Sequence, residues 1–264
     1  MSERRFVAEG PQAVREALTV RGCVVDVLAT YDASDRHRDL TEAARAAGAD
    51  WHLVDEAALT ILTDTVTPQG LVAVCNFVDT DLDDLLSTRP EPPGLVAMCA
   101  SVRDPGNAGT VIRCADAVGA QAVILAGTSV DPYNGKAVRA SVGSLFHLPI
   151  AFRVTVPESV DAVRRTGLGV LAADAAGSLT LDDALDSGLL SRPTAWMFGN
   201  EAWGMAAEDA ALADHVVQVP IYGRAESLNL ATAAAVCLYA SARAQRRRSF
   251  SADPRSQSDR RRLS

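Results

Sequence analysis

The sequence predicts an α/β fold built on a parallel sheet, in two successive units. Three observations carry this. Short, almost wholly apolar runs such as LVAMCAS (95–101), AVILAG (122–127) and TAWMFG (194–199) suit strands covered on both faces. Segments with helical apolar spacing alternate with them, the pattern of strand–helix–strand units. A Pro- and acid-rich stretch, TDLDDLLSTRPEPPG at 80–94, separates two such alternations.

In the first unit, FVAEGPQAVREAL (6–18) starts extended, turns at Gly10-Pro11 and continues as a helix with Ala13, Val14, Ala17 and Leu18 on its apolar stripe. A buried strand follows at 24–30 and ends at Tyr31-Asp32. A helix at 40–49 stops near Gly48, a residue suited to a left-handed C-cap. Residues 51–55 read as a strand, 56–64 as a helix and 71–77 as a strand. Residues 1–78 therefore form a small α/β unit, 79–94 a linker, and 95–248 the larger unit, which is expected to fold without the first. In the larger unit, strands are expected at 95–101, 122–127, 169–174, 194–199 and 216–221. Helices are expected at about 107–118, 135–143, 157–166 and 228–246. Residues 249–264 are polar and Arg- and Ser-rich, the composition of a disordered basic tail.

Composition narrows the function classes. With 48% apolar and 22% charged residues, the 264-residue chain has an ordinary globular balance. No run approaches the 18 apolar residues of a membrane span, and MSERRFVAEG has no signal-peptide core, so a cytoplasmic location is expected. The five cysteines never form CxxC, and the four histidines never form HExxH. Buried thiols and no metal site are the reading. The net charge of −8 runs against the basic balance usual for nucleic-acid binding. From Arg243 onward, however, eight Arg stand against two Asp.

Three segments concentrate polar side chains in turns beside apolar elements. In DPGNAGTVIR (104–113), Asp104-Pro105-Gly106 turns after a strand, Asn107 can cap the next helix, and Arg113 lies about one and two-thirds turns further on. Helical side chains lean toward the N-terminus, so Arg113 can share a cavity with Asn107 at the strand ends, where open α/β sheets bind ligands. The plainer readings are a helix cap and a solvated charge. In FGNEAWGM (198–205), Gly199 ends a strand and Asn200 and Glu201 occupy the turn. Glycine there lets a flat ligand approach the backbone. In VPIYGRAESLNLATAAAVCLYA (219–240), a strand ends near Ile221, and a loop through Gly223 leads to Ser227, Leu228 and Asn229. A helix rich in alanine follows. Ser227 or Asn229 could equally be an N-cap. Phosphate-loop, dinucleotide-glycine and nucleophile-elbow patterns are missing, which disfavours a Rossmann-type small-molecule enzyme.

In this order the three segments resemble the motifs of the SpoU (TrmH-like) RNA ribose 2′-O-methyltransferases of the SPOUT superfamily. ASVGSLFHLP (140–149) adds a match, and RFVAEGPQAVREAL resembles the small substrate-binding domain that precedes many catalytic domains of that family. The family pattern commonly has a small polar residue where this chain has Met205, a change expected to alter packing.

The resemblance implies a C-terminal SPOUT methyltransferase domain with a parallel sheet and a deep trefoil knot, behind an N-terminal α/β RNA-binding domain. It implies S-adenosylmethionine as cofactor, held by Gly199, Asn200, Val219, Ile221, Gly223 and Leu228. It implies a homodimer with each active site at the interface and the last helix within that interface. Asn107, Arg113, Glu201, Ser227 and Asn229 would be the catalytic set. The family's usual assignment makes Arg113 the general base. A guanidinium stays protonated, which favours Arg113 as a stabiliser of the alkoxide and leaves the proton acceptor open among Arg113, a phosphate oxygen and water. RNA contacts are expected from Arg4, Arg5 and Arg15 in the first unit and from Arg103, Lys136, Arg139 and Ser141 at the rim. Ribosomal RNA is favoured over transfer RNA. A non-catalytic RNA-binding protein of the same fold is the alternative.

Overall fold

The computed structural model describes residues 4–63, 65, 68–87, 94–200 and 202–252. In the first unit the elements are β1 (Arg5–Glu9), α1 (Pro11–Thr19), β2 (Val24–Ala29), α2 (Tyr31–Arg36), α3 (Arg38–Ala47), β3 (Asp50–Leu53), α4 (Glu56–Leu62) and β4 (Leu71–Asn76). Their sheet has the order β1-β4-β2-β3, with β4 antiparallel to both neighbours and β2 parallel to β3. Helix α2 is not evident from the apolar pattern, because only Ala33 of its six residues is buried. Thr30 forms it by accepting the Ala33 N–H as an N-cap.

The second unit contains β5 (Leu95–Ala100), α6 (Pro105–Val118), β6 (Ala122–Ala126), α7 (Gly135–Ser141), β7 (Ile150–Val154), α8 (Val156–Arg165), β8 (Gly169–Ala173), β9 (Leu179–Thr180), α9 (Leu181–Asp186), β10 (Thr194–Phe198), α10 (Ala207–Ala210), β11 (His215–Gln218) and α11 (Leu230–Ala252), with α5 (Leu82–Ser87) ahead of them. Seven strands form one parallel sheet in the order β7-β6-β5-β10-β8-β11-β9. Every residue of β5, β6 and β10 is buried, as their unbroken apolar runs require. Alternate residues face opposite layers. Leu95, Ala97 and Cys99, with Trp196 and Phe198, pack toward the layer of α6 and α11, whereas Val96, Met98, Ala195 and Met197 join the layer containing Val160 and Val163 of α8. Trp196 donates its indole N–H to Ser241 at 2.8 Å, fixing α11 over the sheet.

Three expectations change here. The segment 79–94 is not a free tether over its described part. Thr80 donates its N–H to the Ile150 carbonyl at 2.9 Å, and Leu85 and Leu86 of α5 are buried against the sheet. The leucine spacing outweighs the acids, which lie on the solvent side; the three prolines fall outside the described residues. The expected tail at 249–264 begins later, since α11 continues to Ala252 with no Gly or Pro to stop it before Pro254. The rest of that tail lies outside the described residues. Third, the two units share a core. Tyr133 stacks on Phe77 at 3.9 Å and lies 4.6 Å from Phe6, while Phe146 and Phe152 complete the aromatic cluster. Around it, Arg139 pairs with the nearly buried Glu9 at 2.8 Å, and His147 bridges Asp116 of α6 and Glu16 of α1. This joint argues against the expectation that the larger unit folds without the first.

Among the described residues, no helix is long and apolar enough to cross a membrane.

Candidate active site

Strands β10, β8 and β11 are neighbours, and in register Ala173 lies opposite both Phe198 and Val217. Their C-terminal ends release three segments, 174–178, 199–206 and 219–229, around a cavity of about 510 Å³. Phe198, Val217, Leu230 and Ala233 form much of its apolar lining. It sits at the carboxyl edge of the sheet, where the loops of open α/β folds leave a ligand crevice.

The 199–206 segment is a tight hairpin. Asn200 and Gly204 exchange backbone hydrogen bonds at 2.9 and 3.0 Å. The Asn200 side chain, 6% exposed, donates to the Ser101 carbonyl at 2.8 Å and accepts the Ala202 N–H at 2.8 Å. Asn200 thus ties the hairpin to the end of β5, where Ser101 holds a left-handed φ of 61°. Gly199 is required for a reason inside the protein: a Cβ there would lie 2.7 Å from the Met205 nitrogen and 2.8 Å from the Gly204 carbonyl carbon. Met205 donates its N–H to Asp174 at 3.2 Å and packs against the second core layer, so it serves packing.

Of the expected cofactor residues, Gly199, Asn200, Val219, Ile221 and Leu228 line the cavity. Gly223 does not, and nothing lies within 4 Å of where its Cβ would be. Its place is the outer bend of an exposed loop, so only the loop's path depends on it.

The expected catalytic set divides. Ser227 and Asn229 line the cavity. Asn229 also caps α11, accepting the N–H groups of Ala231 and Thr232, and it donates to the Asn107 side-chain oxygen at 3.1 Å. The cap and the polar network are therefore one arrangement. Asn107 itself is not the cap of α6. Asp104 is, accepting the Asn107 N–H at 2.8 Å, because Pro105 occupies the first helical position and needs no acceptor. Arg113 is exposed on α6 and does not line this chain's cavity, and among the described residues no hydrogen bond or ion pair holds it. Glu201 lies outside the described residues.

Most of the expected RNA contacts already have acidic neighbours. Arg4 pairs with Asp79 and lies over the Phe77 ring, and Arg15 pairs with Asp39. Lys136 pairs with Asp104 at 2.7 Å; that ammonium, then the Asn107 N–H, holds the Asp104 carboxyl below the usual carboxylate range. Arg139 is committed to Glu9 at the joint of the two units. Arg5 is exposed on β1. Ser141 is wholly buried and donates back to the Val138 carbonyl at 2.8 Å, a helix-end bond that removes it from any RNA contact. Arg103 stacks on Trp203, its guanidinium carbon 5.1 Å from the ring centroid.

Sequence reasoning missed Asp174, Glu226 and Trp203, all of which line the cavity. Trp203 is 60% exposed. An exposed tryptophan between two turn glycines was a readable signal; Asp174 and Glu226 carried none.

Comparison with known proteins agrees with this geometry. The model of the SpoU rRNA methylase family matches residues 94–239, and that of the RNA 2′-O ribose methyltransferase substrate-binding domain matches 7–80. The chain is 35% identical over 234 residues to the 23S rRNA (guanosine(2553)-2′-O)-methyltransferase RlmP of Bacillus subtilis, covering 89% of this chain and 87% of that protein. Among solved structures it resembles the SpoU methyltransferase AviRb from Streptomyces viridochromogenes in complex with AdoMet, with a TM-score of 0.76, 30% identity and coverage of 93% and 92%. An AdoMet-bound rRNA methyltransferase from Sinorhizobium meliloti gives a TM-score of 0.76 and 30% identity, covering 91% of this chain and 87% of that one.

Proposed function

The chain belongs to the SpoU methylase family, and from that premise we propose the working site of an S-adenosylmethionine-dependent RNA ribose 2′-O-methyltransferase that acts on ribosomal RNA. The observation that carries the site is the cavity at the ends of β8, β10 and β11, with Asn229 linking its wall to Asn107. Its volume suits a small-molecule cofactor. Its apolar floor and backbone-rich loops suit a purine and an amino-acid tail. Gly199, Asn200, Val219, Ile221 and Leu228 would hold the group, which when bound supplies an electrophilic methyl.

Ser227 and the Asn107–Asn229 pair orient the ribose by hydrogen bonds, and orientation alone supplies large rate factors. Arg113 stabilises the developing alkoxide and grips the adjacent phosphate through its guanidinium fork. The hydroxyl proton then passes to another acceptor, a phosphate oxygen or water. Glu201 belongs to the same set through its motif position.

Because Arg113 lies outside its own chain's cavity, the reading requires a homodimer in which it serves the partner's site. Supporting this, Val236 and Tyr239 are exposed on α11, the helix that packs along α6. The knot is inferred from connectivity. Strand β10 enters between β5 and β8, and the segment after β11 returns beside the 199–206 hairpin to begin α11. Residues 1–78 form the RNA-binding unit and 95–248 the catalytic unit. The protein works in the cytoplasm and without a metal.

Transfer of tritiated methyl to total RNA in EDTA, followed by mapping of the alkali-resistant 2′-O-methyl position, tests the reading. A ribosomal position is expected; a transfer-RNA position would redirect the substrate, and no transfer would refute the activity. Arg113→Ala should lower transfer by orders of magnitude with cofactor affinity and melting temperature nearly unchanged. Arg113→Lys should fail as well, since lysine lacks the bidentate fork. Wild-type turnover in either would refute its role.

A further inference from the structure

The described residues lining the cavity include two carboxylates, Asp174 and Glu226, and no lysine, arginine or histidine. Asp174 follows the last residue of β8. Its backbone N–H donates to the Val217 carbonyl at 3.1 Å and its own carbonyl accepts the Gly177 N–H at 3.1 Å, so its position is fixed by the sheet edge. One carboxylate oxygen accepts the Ala176 N–H at 2.8 Å and the other the Met205 N–H at 3.2 Å. A carboxylate has about four acceptor sites, so two bonds leave capacity for a ligand. Glu226 is exposed on the loop after β11, and among the described residues no hydrogen bond or ion pair engages it. Apolar walls at Phe198, Val217, Leu228 and Leu230 keep water from screening the Asp174 charge fully.

Resting on the cofactor reading above, we infer that Asp174, assisted by Glu226, makes the cavity select the methyl donor over the demethylated product by charge. S-adenosylmethionine carries a sulfonium, an ammonium and a carboxylate, a net +1. S-adenosylhomocysteine has lost the methyl and with it the sulfonium charge, and is neutral. The two share every other group, so a fixed negative field is what separates them most strongly. Asp174 is a specificity-determining residue on this account. It holds the donor, and its grip weakens once the methyl has left, which favours product release.

Asp174 also clamps the hairpin through Met205, and that role alone would affect both ligands alike. Calorimetric titration of the full-length protein with S-adenosylmethionine and, separately, S-adenosylhomocysteine distinguishes them. Asp174→Asn should weaken the donor about tenfold, between the water and protein-surface limits for one charge pair, and the product less than about twofold. Glu226→Gln touches no internal partner and should weaken the donor alone, by a few-fold, because it is more solvated. If Asp174→Asn does not fold, Glu226→Gln and the wild-type donor-to-product affinity ratio, which should shrink as salt rises, carry the test. Equal losses for both ligands, or a ratio unchanged by charge removal and by salt, would overturn the inference while leaving the cofactor reading intact. A wild-type protein that bound neither ligand would remove the cofactor reading itself.

Discussion

Adding one carbon at Gly199 is the smallest change that tests how the proposed cofactor cavity is built. A Cβ there would lie 2.7 Å from the Met205 nitrogen and 2.8 Å from both the Met205 Cα and the Gly204 carbonyl carbon, whereas ordinary contact begins near 3.4 Å. All three atoms are backbone, so no side chain can swing away, and the hairpin must give by about 0.7 Å. Three ties resist: the paired Asn200–Gly204 hydrogen bonds, the Asn200 bond to Ser101, and the Met205 bond to Asp174. Overpacking of this kind costs about 1–3 kcal/mol. If the hairpin stays closed, the cost appears as lost stability, about 2–4 °C of melting temperature per kcal/mol for a chain of this size. If it opens, stability is spared and the cavity wall is displaced, with about tenfold weaker binding per 1.4 kcal/mol. Gly199→Ala should therefore lower Tm, raise the Kd for S-adenosylhomocysteine, or both. Differential scanning calorimetry and isothermal titration on one preparation read the two terms. A Tm unchanged within 1 °C of wild type as a rough error bound and a Kd within about twofold would refute the packing argument.

Other perturbations reach different parts of the molecule. Asn229→Ala removes the cap of α11 and the bond to Asn107; a loss of about 1 kcal/mol is expected in thermal or urea unfolding, with a larger fractional loss of methyl transfer. Unchanged activity would contradict its place in the site. Deleting residues 1–78 uncovers Tyr133, Phe146 and Phe152 and leaves Arg139 without Glu9. The fragment should aggregate or lose its cooperative transition in light scattering and calorimetry, and a monodisperse, cooperatively unfolding fragment would show that the shared core is dispensable. His147, held chiefly by Asp116 and also by Glu16, has its pKa raised above the ordinary value near 6.5. A raised folded-state pKa adds stability that is complete below about 6.5 and lost as pH rises through the folded value. His147→Gln should therefore flatten the stability–pH curve above about pH 6.5, measured by urea titration; an unaltered curve would mean the bridge is silent.

Much of the larger unit was legible because its signals are local. The runs at β5, β6 and β10 read as buried strands, and the turns at Asp104, Gly199 and Ser227 marked where polar groups leave the sheet. β7 and β9 were missed because Arg153 interrupts the apolar run of β7 and β9 has only two residues. Helix α5 was hidden in a Pro-rich stretch because a few leucines decide its burial. Ser141 looked like a surface contact in the motif, but its hydroxyl is satisfied within its own helix. A count of basic residues likewise does not reveal the acids that pair with Arg4, Arg15, Lys136 and Arg139, which are Asp79, Asp39, Asp104 and Glu9.

By itself the sequence determined the type of the longer, strongly patterned elements, the order of the motifs and the chemistry available at each turn, because caps, glycines and apolar periods act over a few residues. Only the tertiary structure decided that β10 inserts between β5 and β8, that Asn229 reaches Asn107 from 122 residues away, that Asp174 faces the same cavity, and that Arg113 does not. Those outcomes rest on strand pairing and layer packing between distant segments. Each such contact is weak and shared among many residues, so no local window of sequence contains it.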